Sequence, residues 1–315
     1  MPTRALLVLL AALAGCVDEL DLHTTDREGT GLNGLEVVLP DVRITIVVPS
    51  DANFALGTRA LQAWVERSAR AVREFYGRFP VPHLELALIA ENSAEVGNAV
   101  TRAESNGASI RLGLGKNASE RALRNDWVLV HEMIHTALPS LPPAQRWLEG
   151  GLATYLEGVV RCRAGLRDPR MFWSDFTEMA PEGLAKADAG GLDGTVDWGR
   201  TYWGGATFCL LLDLAIRERS QDTKGLRTAL VGVLDQVGDV RRGAQLAEIL
   251  VAMDAAIGAP VASELHAAHG PRRSAVDLVG LWRDLGIEGF GRNTRFVDTA
   301  RLAATRRAIL TRAAP

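Results

Sequence analysis

Apolar and polar positions alternate in "LEVVLPDVRITIVV" at 35–48, which predicts two short strands split at Pro40. The period then lengthens. Over 57–78, Leu61, Trp64, Val65, Ala69, Val72 and Phe75 fall on one side of a helix. "PVPHLELALIA" at 80–90 and "GASIRLGLG" at 107–115 return to strand. From Ser119 the pattern predicts one long helix running to Leu138, where Pro139 stops it. "PSLPPAQ" at 139–145 is a loop with prolines near the next helix start. Helical patterns then dominate, at 143–164, 201–219, 224–236, 242–256, 259–269 and 274–285, with a Gly/Asp-rich loop at 188–200. Strands precede helices, which predicts an α+β chain. The expected arrangement is a small N-terminal mixed sheet with helices (35–138) packed on a mainly helical C-terminal half (139–315).

Composition adds bounds. A chain of 315 residues, 47% hydrophobic and 23% charged, is long enough for a sizeable core and ordinary for a globular protein. The net charge is −3 with the signs well mixed and no basic block, which argues against a nucleic-acid partner. The start is different. Arg4 precedes an apolar run, Ala5–Ala14, of the length signal peptides use. "LAGC" at 13–16 looks like a bacterial lipobox, so residues 1–16 are expected to be a lipoprotein signal peptide, with Cys16 as the lipidation site. A plain secretory signal with an incidental cysteine, or a buried N-terminal helix, are the alternatives. The polar run over 17–34 reads as a flexible tether. A lipid anchor at Cys16 would attach the chain to a membrane without a spanning helix. The expected location is the bacterial cell envelope, and Val17 and Asp18 point to the periplasmic side of the outer membrane. Two cysteines remain, Cys162 and Cys209; they could pair in an oxidising compartment, but two buried free thiols are the simpler reading.

The chemistry concentrates at "HEMIH", 131–135. His131 and His135 are four apart, so a helix puts both imidazoles on one face, where two nitrogens can reach one ion. Glu132 can lie beside the open position of that ion and take a proton from water. Val128, Leu129, Val130, Met133, Ile134 and Leu138 would bury the helix, and buried imidazoles and carboxylates need partners. His266 and His269 are three apart near a helix end, and a solvated helix end is the expectation there.

A zinc site needs a third protein ligand. Glu149 lies 14 residues after His135, on a helix face shared with Leu152, Ala153 and Leu156, where a bare carboxylate is costly. Together these residues resemble the gluzincin metallopeptidases of the peptidase MA-like superfamily, in particular the aminopeptidase N and glycyl aminopeptidase-like branch. "HEMIH" matches that group's metal helix. "RWLEGGLATYLEG" at 146–158 is similar to its Trp-Leu-x-Glu-Gly-x-Ala-x-Tyr helix, which supplies the third ligand. "RTYWGGATFCLLLDLAIRERS" at 200–220 looks like its later Tyr-x-x-Gly helix, and "SAVDLVGLWRDLGIE" like its terminal helix.

The resemblance implies a thermolysin-like zincin catalytic fold and one catalytic Zn2+ held by His131, His135 and Glu149. It makes Glu132 the general base and Tyr202 the group that stabilises the tetrahedral intermediate. The implied activity is hydrolysis of a peptide or protein substrate. The strand at 107–114 is the one expected to pair with an extended peptide at the sheet edge. The pattern departs at one point. The family's glutamate falls on Gly150, so Glu149 sits one residue early, about 100° around the helix. Either the helix turns Glu149 to the metal, or Glu157 substitutes two turns on, or the chain is a lapsed peptidase-like lipoprotein that binds peptides without turnover. An aminopeptidase also needs acids for the free amine, for which Glu95, Glu104 and Asp197 are candidates by type.

Overall fold

The computed structural model describes residues 34–184, 190–272 and 275–311. Cys16, the lipobox and the tether up to residue 33 lie outside the described residues. Among the described residues no helix is long and apolar enough to cross a membrane. The chain divides into two compact units: one through Glu74 together with Arg78–Thr136, the other Phe75–Gly77 together with everything from Ala137.

The first unit holds a five-stranded mixed sheet in the order β1-β2-β3-β5-β4. Its strands are β1 (Leu35–Leu39), β2 (Val42–Val47), β3 (His83–Glu91), β4 (Val96–Glu104) and β5 (Gly107–Gly115). β1 and β2 form an antiparallel hairpin, β2, β3 and β5 run parallel, and β4 is antiparallel to β5. Helix α1 (Thr58–Tyr76) is the crossover between β2 and β3, as a parallel pair requires. Its predicted apolar stripe is buried: Leu61, Trp64, Val65, Ala69 and Val72 are each at most 2% exposed.

Three expectations are corrected here. β4 escapes the hydrophobic pattern because "VGNAVTRAE" contains glycine, asparagine and small residues where strands usually carry large β-branched ones. Its presence moves β5 to the interior of the sheet, so 107–114 is not an edge; β4 is. The long helix from Ser119 is two helices, α2 (Glu120–Asn125) and α3 (Val128–His135). Asp126 separates them with an extended backbone, φ −59° and ψ 137°. Its carboxylate accepts from the N–H groups of Val128 and Leu129, at 2.8 and 3.3 Å, and from Trp64 Nε1 at 3.0 Å. Asp126 thereby satisfies orphan donors at the start of α3 and pins that start to α1. At the other end α3 stops three residues before Leu138, where the Thr136 hydroxyl bonds the Met133 carbonyl at 2.6 Å.

The second unit is helical: α4 (Trp147–Arg163), α5 (Pro169–Leu184), a π-helical turn (Arg200–Gly204) leading into α6 (Gly205–Arg219), α7 (Leu226–Gln236), α8 (Leu246–Ile257), α9 (Val261–His269), α10 (Leu278–Leu285) and α11 (Ala303–Leu310). A small ribbon, β6 (Ile287–Glu288) with β7 (Arg295–Phe296), joins them. α5 and α11 were not legible in the sequence. α5 carries Pro181 inside it and is held by an aromatic cluster of Phe172, Trp173 and Phe176. Cys162 and Cys209 are buried free thiols. The mixed α/β plan, with sheet first and helices after, agrees with the predicted fold class.

Candidate metal centre

Helix α3 packs on β4 and β5 and is apolar on nearly every side. Val128, Leu129, Val130, Met133 and Ile134 are at most 5% exposed. Into this setting the helix brings two imidazoles and a carboxylate. His131 and His135 stand one turn apart with their Nε2 atoms 3.3 Å from each other. The Trp127 ring meets His131 edge-on, with centroids 5.6 Å apart. Burial holds the pKa of both histidines below the usual value, His135 at about 4. Both rings are therefore neutral at pH 7, the form in which an imidazole nitrogen is a ligand. Donor atoms of His131, Glu132 and His135 all lie within 4.8 Å of one another, the one such group among the described residues.

The fit to zinc can be tested on the two nitrogens. Imidazole nitrogens bound at 2.0–2.1 Å to one tetrahedral ion stand about 3.3 Å apart. The pair in α3 has that spacing.

Glu132 is 2% exposed. Burial pushes its carboxyl up to about 7, against the bonds from Thr101, which pull it down. The folded protein thus holds this proton more tightly than the unfolded chain, whose value is 4.5. The stability it contributes is complete below 4.5 and is lost as pH rises through about 7. In the zinc-free protein, Glu132→Gln should therefore raise stability at about pH 8, on the order of 2 kcal/mol, and change it little at about pH 4. Unfolding curves at the two pH values check this. An equal shift at both would assign the effect to packing rather than ionisation.

The remaining candidate residues lie in the second unit. Glu149 is in the first turn of α4, and its carboxylate accepts the N–H of Leu141 at 2.5 Å. Burial raises its pKa, opposed by that N–H and by Arg146. Gly150, where the family pattern expects the glutamate, faces Tyr202: a Cβ there would lie 3.1 Å from the phenol ring. Tyr202 is 2% exposed, is carried by the π-helical turn, and packs on Trp198 with ring centroids 5.8 Å apart. π-turns recur at functional sites because they re-aim one side chain within a helix. Glu157 forms buried ion pairs with Arg161 at 2.5 Å and Arg167 at 3.2 Å.

Helices α4 and α6 touch through their backbones. A Cβ at Gly151 would lie 2.3 Å from Gly205 Cα, and one at Gly205 would lie 2.4 Å from the Trp147 carbonyl oxygen. α5 joins them at Gly183, whose Cβ would lie 2.2 Å from the Gly204 nitrogen. Glycine is needed at these positions for the approach itself.

His266 is not the solvated helix end the spacing suggested. Its Nε2 lies 3.0 Å from Asp193, which also accepts from Trp147 Nε1 at 2.9 Å, and its ring stacks on Trp147. This bracket ties the loop before the π-turn to the first residue of α4. The residue that sequence reasoning missed is Thr101, on the unrecognised strand β4. Its hydroxyl lies 2.6 Å from Glu132 Oε2.

No family model matches the chain, and no curated protein matches it. Solved structures do. One is the crystal structure of an aminopeptidase N family protein from Idiomarina loihiensis, with TM-score 0.60 and 14% identity over 81% of this chain and 49% of that one. Another is the M1 zinc metallopeptidase from Deinococcus radiodurans, with TM-score 0.48 and 16% identity over 78% of this chain and 52% of that one. The chain thus spans about half the length of these proteins. At such identity the first likeness is one of fold.

Proposed function

We propose that the chain is a zinc-dependent peptidase of the thermolysin-like zincin plan. In this reading His131, His135 and Glu149 hold one Zn2+, Glu132 is the general base, and Tyr202 donates to the oxyanion. The observation that carries the proposal is the pair of neutral, buried Nε2 atoms 3.3 Å apart with Glu132 in the same cluster. Glu149 and Tyr202 enter from their sequence spacing and from their state within their own unit: a buried carboxylate at a helix start and a buried phenol on a re-aimed turn.

Zinc, when bound, supplies Lewis acidity to the scissile carbonyl and to the attacking water. Glu132 takes the proton of that water and returns it to the leaving amine. The Tyr202 hydroxyl donates to the developing oxyanion. An extended peptide is proposed to lie along the edge of β4, the outermost strand of the sheet among the described residues. Attachment to the bacterial envelope through a lipid on Cys16 belongs to the same proposal and rests on the sequence of the first sixteen residues.

A second reading has its own observation. Gly150 occupies the family's glutamate position, and the Glu149 carboxylate is bonded to Leu141 N–H. This favours a lapsed peptidase that binds peptides without turnover. One experiment separates the two. Zinc content of the purified chain and its turnover of a peptide library are measured beside those of Glu149→Ala. The peptidase reading expects about one zinc per chain, peptide cleavage, and at least roughly a tenfold loss of zinc affinity in the variant, as loss of a direct ligand entails. Zinc without cleavage by the wild-type chain supports the second reading. Undiminished zinc affinity in Glu149→Ala would remove Glu149 from the ligand set.

A further inference from the structure

One side chain joins the edge strand to the HEMIH helix. The Thr101 hydroxyl oxygen lies 2.6 Å from Glu132 Oε2 and 2.9 Å from the main-chain oxygen of the same residue. Thr101 is itself fixed, because β4 pairs antiparallel with β5 and sets Thr101 opposite Ile110. The donor to the Glu132 side chain thus comes from the sheet and not from helix α3 itself. On the helix, the apolar side chains of Val128, Leu129, Met133 and Ile134 are buried with Glu132, and the Nε2 atoms of the two histidines lie close to each other.

A hydroxyl carries one proton and two lone pairs. It can donate to a carboxylate, or accept from a carboxyl while donating to the main-chain oxygen. Both arrangements use the same heavy-atom positions, so the contact survives proton uptake and release by the side chain. Either way Oε2 is engaged, and Oε1 is the oxygen left for chemistry. A free glutamate has three side-chain torsions; burial together with a bond of this length narrows the rotamers open to it.

We infer that Thr101 is a positioning residue for Glu132: from the edge strand, its hydroxyl holds the carboxylate in one rotamer so that Oε1 meets the water to be deprotonated. This rests on Glu132 being the general base, and it adds a consequence. The strand proposed to receive the substrate is also the strand that sets the base, so the two are registered to each other by one residue of β4.

The test pairs Thr101→Val, which keeps the shape and removes the hydroxyl, with Thr101→Ser, which keeps the hydroxyl. Turnover, zinc content and crystal structures of the zinc-free proteins are compared with wild type. The expected result is an unchanged zinc content in both variants. In Thr101→Val kcat should fall at least about tenfold with KM within about twofold, and in Thr101→Ser activity should stay within about threefold of wild type, since a misplaced base forfeits part of its roughly 10²–10⁴-fold contribution. In the crystals Glu132 should leave its rotamer in Thr101→Val and keep it in Thr101→Ser. A Thr101→Val protein with wild-type kcat, or with Glu132 unmoved, overturns the inference. If Thr101→Val does not fold, Thr101→Ala takes its place with the same two outcomes. If the wild-type chain cleaves nothing, the peptidase reading fails, while the crystal comparison still decides whether Thr101 sets Glu132.

Discussion

Glu132→Gln should lower peptide hydrolysis by about a thousandfold while zinc content stays at the wild-type level. Glutamine has nearly the volume of glutamate, and its amide oxygen can still accept from Thr101, so the α3 packing is preserved. What is lost is the ability to take a proton. The proposed metal ligands, His131 and His135, are untouched, and their spacing of 3.3 Å follows from their places one turn apart on α3. Single-turnover assays with equal zinc loading measure the effect. A variant that cleaves peptides as fast as wild type would show that Glu132 is not the base, whatever its burial and its bond to Thr101.

The largest effect on stability is expected at the helix crossing. Gly151→Ala places a methyl group 2.3 Å from Gly205 Cα and 2.7 Å from the Ala206 nitrogen. Those atoms are main chain and cannot swing aside, so the two helices must separate. The loss should be about 3 kcal/mol, the upper part of the range for overpacked cores. The helix-propensity gain of Ala over Gly, about 1 kcal/mol, recovers only part of the clash. The neighbouring substitution is the control. In Gly150→Ala the new methyl meets the edge of the Tyr202 ring at 3.1 Å, and a ring can yield by a few tenths of an ångström. There strain and propensity should nearly cancel, leaving stability within about 1 kcal/mol of wild type. Denaturant unfolding of both variants provides the comparison. Equal losses at 150 and 151 would refute the backbone-contact account of the crossing.

The sequence made the site more legible than the frame that holds it. "HEMIH" states its own geometry, because four residues on a helix bring two imidazoles together without help from elsewhere. The apolar stripe of α1 and the alternation in β1, β2 and β3 likewise depend on local spacing alone. What stayed hidden depends on partners distant in the chain. β4 is a strand because β5 offers it an edge; its own residues, Gly97, Asn98 and Ala99, carry little strand preference. Missing β4 meant placing β5 at the edge and overlooking Thr101. The break at Asp126 was missed because the apolar pattern continues across it. The cap that makes the break bonds Trp64, 62 residues earlier. His266 read as a surface residue because nothing nearby in sequence reveals Asp193 or the Trp147 ring. The offset of Glu149 was visible from counting, and the structure adds what position 150 faces: the Tyr202 ring.

The glycine crossing also bears on how this protein tolerates change. At the crossing, the separation between the segment that carries Glu149 and the segment that carries Tyr202 is set by main-chain atoms of α4 and α6 at Gly151 and Gly205. A core spaced by side chains drifts as those side chains exchange one volume for another. A core spaced by peptide groups has no such dial. The surroundings of α4 and α6 can therefore diverge far in sequence while the two segments keep one separation. The burden of heredity falls on a few glycine codons.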